Sequence, residues 1–68
     1  MNKFKNNQFM FNQITLLIRE LKNYINNYKI EDNQDRKDLY ELVCYEDSLN
    51  RWQEKLTEKL QILAEEEK

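Results

Sequence analysis

Not one glycine or proline occurs in these 68 residues, and that absence constrains the fold more than any other feature. Tight turns between strands draw on glycine for positive φ and on proline for a preset φ. A sheet with several such turns therefore has little to build them from. The chain is instead rich in Leu, Lys, Glu, Gln and Asn, with 35% of residues charged. Helix is the one regular structure that this composition favours throughout.

The apolar residues recur in sevens. Ile14, Leu21 and Tyr28, then Leu42, Leu49, Leu56 and Leu63, share one heptad position, d. Position a holds Phe4, Phe11, Ile18 and Ile25, and later Leu39 and Leu60. A spacing of three and four puts a and d on one face of a helix of 3.6 residues per turn. Position g is apolar as well, with Met10, Leu17 and Tyr24 in the first segment and Tyr45 and Trp52 in the second. A two-stranded coiled coil needs only a and d, whereas a stripe widened by g suits a helix with more than one neighbour.

Between Glu31 and Asp38 the pattern stops. Eight consecutive residues are polar there, and Asp32 and Asp35 occupy the core positions. The stretch reads as a turn, with Asp35 as N-cap, Asp38 completing a variant capping box, and Asn33 as the left-handed residue. Lys29 would stand at the negative end of the first helix. The expectation is an all-α, two-helix antiparallel hairpin forming a single domain over residues 1–68. It has a helix over about 7–30, a turn over about 31–35 and a helix over about 36–66. A continuous rod of roughly 90–100 Å is the alternative, because the heptad frame stays in register across the gap. Two aspartates at consecutive core positions count against it.

In a hairpin, residues whose numbers sum to about 67 become neighbours, so Ile18 meets Leu49 and Phe11 meets Leu56. So short a chain exposes much of its surface even when folded. Cys44 is the only cysteine and there is no histidine, so neither an intrachain disulfide nor a usual metal site adds stability. Self-association into a helical bundle, with a homodimer favoured, is the expected remedy. The expected core and oligomer interface is Phe11, Ile14, Leu17, Ile18, Leu21, Tyr24, Ile25, Leu42, Tyr45, Leu49, Trp52, Leu56, Leu60 and Leu63.

Catalytic equipment is sparse. General acid–base work near neutral pH most often uses histidine. Cys44 has no imidazole to activate it and reads as a small, half-buried hydrophobe. Glu31, Asp32 and Asp35 lack the glycine and closing glutamate of a calcium loop, and without glycine no phosphate-binding loop can form. The sequence argues against an enzyme and against any cofactor or metal.

Three surfaces compete for a role. Phe9 and Leu16, with Tyr40, Cys44 and Ile62, lie off the main stripe and could form a docking patch for another protein. Lys5, Asn12, Arg19, Lys22, Asn26 and Lys29 make a basic, amide-rich flank on positions b and e of the first helix, suited to nucleic acid. Residues 1–30 carry five bases against Glu20 alone, a net +4; residues 31–68 carry six bases against twelve acids, a net −6. The two halves would attract one another in a hairpin. A membrane-surface role for the segment from Lys3 to Phe11 is disfavoured, because Phe4 and Phe11 belong to the core stripe.

The leading expectation is a small, non-enzymatic, homo-oligomeric interaction protein that binds another macromolecule. Short acidic helical chains of this kind are common products of phages and mobile elements, and a regulator or inhibitor from such a source is the role expected here. The alternatives are an RNA- or DNA-binding four-helix bundle and a structural coiled coil. With no signal peptide or apolar run near the roughly 20 residues of a membrane span, the expected location is the cytoplasm.

Overall fold

The computed structural model describes residues 2–66. It contains two helices, α1 (Lys3–Asn26) and α2 (Asn33–Glu66), packed against each other as a hairpin measuring 55 × 16 × 15 Å. The rod is not what forms.

Both helices begin earlier than the sequence suggests, and side-chain caps explain why. Asn2 stands at φ −84° and ψ 114°, and its carboxamide oxygen accepts from the backbone N–H groups of Phe4 (2.8 Å) and Lys5 (3.3 Å). That satisfies two of the four N–H groups a helix start leaves without partners. At α2 the cap is Asp32, not Asp35. An Asp32 carboxylate oxygen accepts from the Asp35 N–H (2.8 Å), and the Asp35 carboxylate reaches back to the N–H groups of Glu31 (2.9 Å) and Asp32 (3.3 Å). This reciprocal box lies three residues ahead of its expected position, since Asp35 serves as the returning acid. Asp38 instead accepts from the Gln34 side chain (3.0 Å).

α1 also ends earlier, at Asn26. The Asn27 N–H donates to the Asn23 carbonyl (3.2 Å), as does the Asn27 carboxamide (2.9 Å), and Tyr28 N–H turns back to Ile25 (3.2 Å). Asn23, Asn26 and Asn27 are weak helix formers with side chains that compete for backbone groups. No described residue has positive φ. Asn33 is therefore not left-handed; it is the first residue of α2. Lys29 lies beyond the helix end, and α1 has no base in its last turn.

The core sits in the a/d seam. Ile14 (2% exposed), Ile18 and Leu56 are buried, with Phe11 and Leu49 packed against them. This matches the expected register. Leu21, Ile25, Leu42, Leu60 and Leu63 are half-buried along the same seam. A polar link pins the register. The Gln53 side-chain amide donates to the Thr15 hydroxyl across the helices, and that hydroxyl donates to the Phe11 carbonyl (3.0 Å). Gln53 occupies position a, so a residue that interrupts the apolar pattern supplies a directional contact between helices. Such contacts are harder to satisfy out of register than apolar ones.

Candidate functional site

In an antiparallel helix pair the g positions of both helices line one side of the seam and the e positions line the other. The Thr15–Gln53 bond lies on the e side. That flank is largely polar, carrying Thr15 and Lys22 from α1 with Arg36, Asn50 and Thr57 from α2. The g side is its opposite. Met10, Leu17, Tyr24, Tyr45 and Trp52 are all exposed there, Trp52 at 47% and Tyr45 at 65%. Register sets Leu17 across from Trp52, and Tyr24 across from Tyr45. A single hairpin buries a and d but leaves g open to water. Four of the fourteen expected interface residues (Leu17, Tyr24, Tyr45 and Trp52) thus lie outside the intramolecular core.

The off-stripe apolar residues do not form one patch. Phe9, Leu16, Tyr40, Cys44 and Ile62 are all exposed. Phe9 and Leu16 sit on the back of α1 and Cys44 on the back of α2, so they face opposite directions. Cys44 is exposed rather than half-buried, because position f is the farthest from the seam. Tyr40 joins Ile30, Leu39 and Val43 beside Arg36 in a shallow groove at the turn end. Ile30 and Arg36 were not legible as neighbours, since Ile30 reads as the last residue of the first helix but lies in the connection.

The basic flank is continuous and open. Lys5, Asn12, Arg19, Lys22, Asn26 and Lys29 are all exposed. Among the described residues the ion pair present is Arg51–Asp47 (3.1 Å), one turn apart on α2. The complementary charges of the two halves therefore form no direct bridge between helices. At positions b and e, the α1 bases point away from the acids on the back of α2.

The turn end concentrates negative charge around aromatic rings. The rings of Tyr24 and Tyr28 lie 5.7 Å apart at 58°. Partial burial, and then the carboxylates of Asp35 and Asp38, raise the Tyr28 phenol above its ordinary 10.0. The fold therefore prefers the neutral phenol. Its contribution is intact below pH 10 and is lost as pH rises through the raised folded value. In alkaline unfolding, wild type is expected to lose more stability above pH 10 than Tyr28→Phe does; parallel losses would remove Tyr28 from the account.

Among the described residues no helix is long and apolar enough to cross a membrane. Comparison with protein families, curated proteins and solved structures gives no match.

Proposed function

We propose that this chain is a non-catalytic interaction protein, a helical hairpin that works as a homo-oligomer and presents its remaining surface to another macromolecule. The exposed g flank carries this reading. Five large apolar side chains on one side of a 68-residue hairpin form a contiguous patch of the kind that marks an association surface. The opposite flank is polar enough to stay in water, so association through g closes after one partner face is covered. The residue set supports a role without catalysis: no histidine is present, and the acids at the turn are occupied in capping. Sedimentation equilibrium at micromolar concentration should return a multiple of the 8.5 kDa chain mass, with a dimer expected. A mass of one chain at every concentration would overturn the proposal.

A second reading, nucleic-acid binding, is favoured by the exposure of Lys5, Asn12, Arg19, Lys22 and Asn26 on α1, with Lys29 exposed just beyond its end. It predicts binding to RNA or DNA that weakens steeply with salt, as each base neutralising a phosphate releases a counterion. Arg19→Glu with Lys22→Glu should abolish that binding while helicity stays unchanged. Undiminished affinity in the folded double variant would eliminate this reading.

A further inference from the structure

The charges on the g side are sorted along its length, which carries an inference about how two copies meet. Asp38 stands on this flank at the turn end, with Glu41 on the adjoining rim one turn further along α2. Toward the open end the same positions hold Lys59 and Lys55. The apolar rungs, Leu17 with Trp52 and Tyr24 with Tyr45, lie between them.

We propose that the occupant of this face is a second copy of the chain, stacked g side to g side with its turn at the opposite end. The proposal rests on the homo-oligomeric reading above and specifies its geometry. In this arrangement each helix lies antiparallel to its own symmetry mate. Setting Trp52 over Tyr45 of the other copy also sets Leu17 over its Tyr24, so the apolar rungs cover one another. The same register brings Lys59 over Asp38 and Lys55 over Glu41 of the other copy, and each pairing occurs twice by symmetry. Rungs and charges are thus satisfied at one offset.

The competing dimer, with both turns at one end, lays α1 over α2 of the mate. It matches the apolar rungs equally well. However, it leaves Lys59 facing Met10 and sets Asp38 over the connection of the mate, so neither meets an opposite charge. Complementary charge across an interface favours the dimer that pairs them. The turned-about dimer has one like-charge approach, Glu20 near its own mate at the dyad. Glu20 is exposed on the rim, where screening keeps that cost small. The long face measures 55 × 16 Å, about 880 Å² in projection. Stable interfaces bury about 800 Å² per partner, so one face is enough.

Nitroxide labels at the turn tip test the orientation. In a Cys44→Ser, Gln34→Cys background, the turned-about dimer separates the two labels by about 45 Å at 1.5 Å of rise per residue. A dimer with both turns at one end brings them within about 25 Å. Charge variants give a second readout. Asp38→Lys should raise the dimer dissociation constant about tenfold, and adding Lys59→Glu should restore it to within about threefold. In the competing dimer Asp38→Lys would leave the dissociation constant within about threefold and Lys59→Glu would rescue nothing. A short label distance, or an unchanged dissociation constant in Asp38→Lys, overturns the orientation while the homo-oligomeric reading stands. A chain that sediments as one copy overturns both.

Discussion

Ile18→Asp is expected to unfold the hairpin. Among the described residues Ile18 is one of three buried side chains, packed with Ile14 and Leu56 against Phe11 and Leu49. Among the described residues no ion pair reaches the seam, so nothing there could compensate a carboxylate. An uncompensated buried charge costs several kcal/mol, and a domain of this size rarely has more than about 3–5 kcal/mol to lose. Far-ultraviolet circular dichroism should show loss of most helicity and of the cooperative melt at 25 °C. Leu16→Asp is the matched control. Leu16 lies on the back of α1, and a substitution there should change stability by no more than about 0.5 kcal/mol. A folded Ile18→Asp protein with a wild-type melting curve would show the seam to be wrongly assigned.

The second large effect belongs to the g flank. Leu17→Lys with Trp52→Lys changes side chains that are about half exposed within one copy, so the hairpin seam itself is undisturbed. Large apolar and tryptophan anchors at the centre of an interface are commonly worth about 2 kcal/mol or more each. Each substitution occurs twice in a symmetric dimer. The dissociation constant should therefore rise by more than about a hundredfold, read by sedimentation. In wild type, Trp52 emission should shift to the blue as concentration rises through that constant. An unchanged dissociation constant in the double variant would remove the g flank from the interface.

The hairpin itself was legible because its information is periodic. Isoleucines and leucines at a and d on both sides of an eight-residue polar gap specify two facing helices, but the gap marks the fold-back only approximately, since the connection runs over residues 27–32 and six of the eight polar residues open α2. Ile18 with Leu49 and Phe11 with Leu56 follow from the fold point alone. The helix ends were less legible, because capping depends on which of several similar residues adopts the capping geometry. Asp32, Asp35 and Asp38 repeat every three residues, so the box closes equally well on paper in two frames; the structure uses Asp32 with Asp35. Asn2, which sets the true start of α1, could have been found as an N-cap residue two places before Phe4. The Thr15–Gln53 contact was hidden because Gln53 reads only as a break in the apolar pattern until a partner on the other helix is known. Exposure of Leu17, Tyr24, Tyr45 and Trp52 follows from geometry: one partner helix covers a and d, and covering g takes another.

Covering the g flank couples folding of this chain to its association in the proposed dimer. Thermal unfolding across a hundredfold range of chain concentration tests it most directly, because linkage makes the melting temperature of an obligate oligomer depend on concentration. The midpoint should climb steadily as the protein becomes more concentrated. A sharp transition at one fixed temperature throughout that range would contradict it.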